Sequence, residues 1–288
     1  MSAEFVESTP EGAWLVSYQV SVIVPALNEA ENLPHVLPRI PSWVHEVILV
    51  DGHSTDNTVE VARMLWPTIR VVTQQGRGKG AALRSGFAAA TSDIIVMLDA
   101  DGSTDPMEIP AFIGALLSGA DFVKGSRFLQ GGGTADMSLH RRFGNGVFVR
   151  LVQALFGGRY SDLCYGYSAF WTGVVPLLQL NGDGFEIETM MNVRALQAGL
   201  KVAEVPSFEA ERVFGEGRLR TIPDGWRVLK TIWREWASPT VRQVAPGSWR
   251  RQFDAPLAPA QVEQASTRVP TPIHLVPVAQ PVVALEAD

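Results

Sequence analysis

Residues 94–98, Ile-Ile-Val-Met-Leu, form an unbroken apolar run rich in β-branched side chains that ends abruptly at Asp99-Ala100-Asp101. Such a run reads as a buried central strand. Two carboxylates one residue apart at its end are costly to desolvate unless a cation or hydrogen bonds compensate. Hard divalent ions such as Mg²⁺ or Mn²⁺ favour oxygen ligands, commonly one or two carboxylates completed by substrate phosphates. The crevice beyond the strand ends of an open α/β sheet is also where ligands bind. Asp105-Pro106 then opens a helix, with Asp105 as N-cap and Pro106 at the first helical position.

Further strands at 21–24, 46–50 and 69–72 alternate with helical segments, so the fold class is α/β: a mostly parallel central sheet with helices on both faces, in a single domain. Three strands end in polar, mostly acidic loops, at Asn28-Glu29, Asp51 and Asp99-Asp101, and in a parallel sheet those ends share one edge. Gly76-Arg77-Gly78-Lys79-Gly80 leads into a small-residue helix and lets backbone approach an anion closely. It fits neither the P-loop, because Gly80 follows Lys79, nor the dinucleotide fingerprint, which directly follows a first strand.

Beyond the helix after Pro106, a strand at 121–125 leads to Ser126-Arg127, and the glycine-rich residues 131–138 read as a mobile lid. A helix over 141–157 should carry Phe143, Val147, Leu151 and Leu155 on one side, and an extended aromatic stretch from Asp162 to Phe170 should follow. Phe185-Glu186-Ile187-Glu188-Thr189 enters a further helix. In the helix over 223–238, Trp226, Leu229, Ile232, Trp233 and Trp236 form one face, expected to pack on the domain, with Arg227, Lys230 and Arg234 largely opposite. Residues 1–19 read as a polar lead-in with a short strand near Trp14, and 245–288 as a disordered tail without periodicity.

A net charge of −6 argues against a nucleic-acid partner. A single cysteine, Cys164, rules out an internal disulfide framework and a cysteine-based zinc site. Neither a signal-peptide pattern nor an apolar run of about 20 residues is present, so a cytoplasmic location is expected. The basic cluster at 211–234 leaves peripheral contact with the inner membrane face open, and homo-oligomerisation is equally open.

Ser21-Val22-Ile23-Val24-Pro25-Ala26-Leu27-Asn28-Glu29, Val50-Asp51-Gly52-His53-Ser54-Thr55-Asp56, Gly78-Lys79-Gly80 and Asp99-Ala100-Asp101, in that order, resemble the motifs of family 2 glycosyltransferases. Within that family the chain looks closest to the dolichol- and polyprenyl-phosphate sugar synthases and their soluble bacterial relatives. The resemblance spans about residues 20–238. It implies a GT-A (Rossmann-like) fold, with residues 20–127 as the nucleotide-sugar-binding half and 128–238 as the acceptor-binding half. It further implies a UDP- or GDP-sugar donor, Mg²⁺ or Mn²⁺, and inversion at the anomeric carbon.

By motif position the resemblance assigns donor binding to Pro25, Asn28, Glu29, Asp51, Lys79, Asp99, Ala100 and Asp101, with Asp101, and beside it Asp99, as metal ligands. Lys79 or Arg127 would help a metal on Asp101 to neutralise the leaving diphosphate, and Glu186 stands where processive members carry a catalytic base, with Glu in place of Asp. Asp162, Glu188, Arg212, Arg218 and Arg220 fall to the acceptor side. A polyprenyl phosphate is the favoured acceptor, and a hydroxyl of a saccharide or small molecule activated by Glu186 is the alternative. A sugar-phosphate nucleotidyltransferase is a weaker reading, because its glycine-rich loop should follow the first strand and here follows the third.

Overall fold

A computed structural model describes residues 18–217, 220–241 and 243. The expected strand near Trp14, the 245–288 tail and Arg218 lie outside them.

The elements run β1 (Val20–Ala26), α1 (Leu33–Val36), β2 (Glu46–Asp51), α2 (Thr58–Leu65), β3 (Arg70–Thr73), α3 (Lys79–Ala89) and β4 (Ile94–Met97). They continue with α4 (Ile109–Leu117), β5 (Phe122–Ser126), β6 (Gly133–Thr134), α5 (Leu139–Phe156), β7 (Ser168–Trp171) and α6 (Val175–Leu178). The order closes with α7 (Glu186–Gln197), β8 (Val202–Pro206), β9 (Phe208–Glu209) and α8 (Thr221–Ala237). Seven strands form one sheet in the order β3-β2-β1-β4-β7-β5-β8. Only β7 runs antiparallel to its neighbours, so the other six direct their carboxyl ends to one edge.

The core is the continuous apolar strand set. Val22, Ile23 and Val24 of β1 and Ile94 and Ile95 of β4 are fully buried, although alternate residues point to opposite faces. Both faces must therefore be covered, as a parallel sheet requires. The chain winds outward from β1 to β2 and β3 on one side, then returns to place β4 on the other. That reversal opens the crevice between the ends of β1 and β4. Asp105 caps the turn after β4, its Oδ1 accepting from the Met107 amide at 2.9 Å.

Two expectations in the second half, the lid and the packed face of α8, are corrected. Residues 131–138 are not a free lid, because Gly133–Thr134 pairs in parallel with Phe208–Glu209 as a small second sheet. On α5, Phe143 and Val147 face outward, while Asn145 and Val152 are buried. On α8, Asp224, Val228, Thr231, Ile232 and Glu235 face the protein, and Trp226, Trp233 and Trp236 do not.

A buried ion pair explains α8. Glu235 accepts from Arg194 Nε at 3.0 Å and Nη2 at 2.7 Å, and Arg194 Nη1 donates to the Leu178 carbonyl at 3.1 Å. The two-pronged pairing fixes the rotation of α8 on α7 and overrides its apolar periodicity. Removing one partner of a buried pair leaves the other uncompensated, which costs about 3–5 kcal/mol. Glu235→Ala should lower the unfolding free energy by that amount in urea titration. A loss below about 1 kcal/mol, the scale of an exposed pair, would show that the contact does not hold the helix.

Candidate functional site

At the carboxyl edge the strand ends surround a cavity of about 940 Å³. Its first wall is the β1–α1 turn, stapled to the loop after β2. Thr55 N donates to Asn28 Oδ1 at 2.7 Å, Asn28 N to Ser54 Oγ at 2.9 Å, and Glu29 N to Thr58 Oγ1 at 2.8 Å. Asn28 takes φ of +53°, a conformation its short polar side chain tolerates. Asp51 Oδ1 accepts from Ser54 N at 3.2 Å, so Asp51 and Asn28 shape the wall while Pro25, Ala26, Leu27, Gly52 and His53 line it.

The second wall is the glycine-rich loop, which is tight for a reason absent from the motif. Gly80 N donates to the Asp183 carbonyl at 2.8 Å, and a Cβ on Gly78 would lie 2.3 Å from that oxygen. The loop is thereby pinned to residues 182–184, placing Lys79 inward and leaving Arg77 exposed at the cavity rim.

Three cations organise the acids, each between two carboxylates. Lys79 Nζ lies 2.6 Å from both Asp99 Oδ1 and Glu188 Oε1. Arg212 meets Glu29 at 2.5 Å and Asp101 Oδ2 at 3.3 Å. Arg127 grips Asp162 through Nε at 2.6 Å and Nη2 at 2.9 Å, and reaches Glu209 through Nη1 at 2.9 Å. Burial alone would lower the pKa of Lys79, but Asp99 and Glu188 reverse that and raise it. Burial, with Asp101 and Glu188 nearby, pushes Asp99 up to about 6 despite Lys79. The Arg127 guanidinium holds Asp162 below the usual carboxylate range against the opposing effect of burial.

Arg212 belongs to a strap, residues 210–214, laid over the β4 end. Ala210 N donates to the Ser103 carbonyl at 2.8 Å, Val213 N to the Asp101 carbonyl at 3.2 Å, and Phe214 N to Asn32 Oδ1 at 2.8 Å. Asp101 Oδ1 accepts from Ser103 Oγ at 2.7 Å, which orients the carboxylate and leaves Oδ2 for Arg212 or a ligand. Among the described residues no group of three or more His, Cys, Asp or Glu side chains closes a complete metal site. Asp101 and Asp99 supply hard oxygen donors at one edge of the cavity, and this fits a Mg²⁺ or Mn²⁺ ion completed by phosphate oxygens.

The residues selected from sequence therefore separate. Pro25, Glu29, Lys79, Asp99, Ala100, Asp101, Glu188 and Arg212 line the cavity. Arg127 and Asp162 are sealed beneath it, with side chains 1% and 0% exposed, so Arg127 is not presented to a leaving group. Glu186 is turned away: its Oε1 accepts from the Asp183 and Gly184 amides at 3.2 and 3.0 Å, as the first-turn acid of α7. The Arg220 amide donates to Asp224 Oδ2 at 2.7 Å, at the start of α8. Glu209, Tyr165, Gly166 and Phe185 line the cavity without having been singled out. Cys164 lines it too, and burial pushes its thiol up to about 12.

Residues 21–175 match the model of Glycosyl transferase family 2, more than half of the chain. The chain belongs to glycosyltransferase family 2. It is 31% identical over 211 residues to a dolichol-phosphate mannosyltransferase of Pyrococcus furiosus, covering 70% of this chain and 59% of that protein. The glycosyltransferase thus spans less than two thirds of that relative's length. It is 30% identical over 215 residues to an undecaprenyl-phosphate mannosyltransferase of Micrococcus luteus, covering 70% of this chain and 87% of that one. A similar solved structure is glucosyl-3-phosphoglycerate synthase from Mycobacterium tuberculosis in complex with Mn²⁺, UDP-glucose and phosphoglyceric acid. Its TM-score is 0.61 and its identity 26%, over 79% of this chain and 83% of that one. The fold is GT-A, and the family excludes the nucleotidyltransferase reading.

Gly166 offers a test of the Lys79 cluster. A Cβ there would lie 2.6 Å from Asp99 Oδ2, 2.8 Å from Lys79 Nζ and 3.0 Å from Glu188 Oε1. Gly166→Ala should weaken binding of UDP or GDP with Mn²⁺ by at least about tenfold, on the order of 1.4 kcal/mol, and the displaced buried charges should lower the thermal midpoint as well. Calorimetry showing unchanged affinity would remove the cluster from donor binding.

Proposed function

We propose that this glycosyltransferase moves a hexose from a nucleoside-diphospho-sugar to a polyprenyl phosphate, with inversion at the anomeric carbon. The observation that carries the acceptor is the pairing of the cavity's acids. Glu29 and Asp101 meet Arg212, Asp99 and Glu188 meet Lys79, Glu209 meets Arg127, and Asp136 lies 3.6 Å from Arg141. Each lining carboxylate faces a cation, and Glu186, which does not line the cavity, accepts two backbone amides through Oε1 while its buried Oε2 has no hydrogen-bond partner. A hydroxyl acceptor needs a free base within hydrogen-bond reach. A phosphate monoester loses its second proton near pH 6 and attacks without one.

In the proposed reaction a phosphate oxygen of the acceptor forms a bond to the anomeric carbon as the bond to the diphosphate breaks. The nucleoside diphosphate departs with the bonding pair. A Mg²⁺ or Mn²⁺ ion on Asp101 and Asp99 would neutralise charge on that diphosphate. The β1–α1 turn with Pro25 and Glu29 receives the nucleoside, and Asp51 and Asn28 hold that turn in shape. Lys79 keeps Asp99 and Glu188 compatible with an anionic donor, and Arg77 and Arg212 supply further positive charge. The relatives named for dolichol phosphate and undecaprenyl phosphate support the acceptor class, and the complex with Mn²⁺ and UDP-glucose supports the donor and metal.

The second reading, a hydroxyl of a small anionic acceptor, is favoured by the similarity to a synthase bound to phosphoglyceric acid. Glu186→Gln separates the two, since Gln keeps the oxygen that accepts from the amides. Transfer should stay within about threefold of wild type. A fall on the order of 10² or more, the scale of general-base loss, would establish Glu186 as the base and a hydroxyl as the acceptor.

A further inference from the structure

The face that α8 turns to the protein is not its most apolar one. Ile222, Trp226, Trp233 and Trp236 lie outward, 84%, 67%, 61% and 46% exposed. Arg227, Lys230 and Arg234 flank this stripe, also exposed. Single exposed apolar side chains are ordinary, whereas a contiguous stripe holding three indoles marks an interaction surface. The neighbouring α5 repeats the pattern: Leu139, Phe143 and Val147 are exposed at helical spacing, with His140, Arg142 and Arg150 exposed among them. The two helices share one apolar cluster, in which Phe148 and Val152 of α5 meet Val228 and Ile232 of α8.

Charge decides what this face meets. The chain carries net charge −6, yet α5 contains no carboxylate at all. The only two on α8, Asp224 and Glu235, are 6% and 0% exposed. The outward residues of both helices are therefore cationic, aromatic, aliphatic or neutral, with no exposed acid. A second copy docking through the same patch would set like charge against like across a two-fold contact. An anionic bilayer offers the complement, with headgroup phosphates for the Lys and Arg side chains and the acyl boundary for the indoles.

We propose that α8, with α5 beside it, docks the enzyme on an anionic lipid surface, Trp226 and Trp233 entering the headgroup–acyl boundary while Lys230 and Arg234 face lipid phosphates. This docking stands apart from the acceptor assigned above, because vesicle binding is measured without donor or acceptor. The test is cosedimentation of the full chain with vesicles containing phosphatidylglycerol and with vesicles of phosphatidylcholine alone. Wild type should bind the first and scarcely the second. Lys230→Ala with Arg234→Ala should weaken binding about fivefold per charge at low salt. Trp226→Ala with Trp233→Ala should weaken it tenfold or more, on the order expected when apolar area no longer leaves water. All four side chains are exposed, so thermal midpoints should hold. Wild-type tryptophan fluorescence should also be quenched by brominated phosphatidylglycerol. Equal binding to both vesicle types, no loss in either double variant, or absent quenching would overturn the proposal. So would a dimer in sedimentation velocity that the tryptophan variant dissolves while vesicles stay unbound.

Discussion

The site depends on three cations, each held between two carboxylates at the carboxyl edge of the sheet. Removing an ion from water costs several kcal/mol even after relaxation, so none of these six acids could stand at low exposure alone. Each cation also crosses the fold. Lys79, at the start of α3, joins the β4 end to α7; Arg212 joins the strap to the β1–α1 turn and the β4 loop; Arg127, after β5, joins the 162 loop to β9. The ion pairs that line and underlie the cavity are also what close its walls.

The strand-end motifs that line the cavity were legible in the sequence because their parts are local. A buried strand followed by Asp99-Ala100-Asp101, a glycine loop leading into α3, and the turn after β1 each carry their signal within a few residues, and the sheet brings them to one edge. The surroundings of Arg127 were not legible, because their contacts join distant segments. Nothing near Arg127 announces Asp162 or Glu209, which lie 35 and 82 residues away. Arg127 therefore reads as a free cation in sequence and is a sealed one in the fold. Gly166 gives no warning either, since its need for a missing Cβ comes from Asp99, Lys79 and Glu188 around it.

Helix α8 shows the limit of periodicity more sharply. Apolar spacing assigns its tryptophans to the interior, a sound rule where packing alone sets rotation. Here the buried Arg194–Glu235 pair sets the rotation, and one side of the helix is committed to it. The tryptophans are left outward next to Lys230 and Arg234. A residue pattern cannot reveal that a glutamate will be as deeply buried as the best apolar position of a helix.

The pairing of acids in the cavity supports one central proposal: the acceptor brings its own negative charge, because each described carboxylate lining the cavity faces a cation. The most direct measurement compares two acceptors differing only in that charge, polyprenyl phosphate and the corresponding polyprenol, with labelled nucleotide sugars and Mn²⁺. The account predicts labelled product from the phosphate and none from the alcohol. Transfer to the polyprenol at a comparable rate would contradict it.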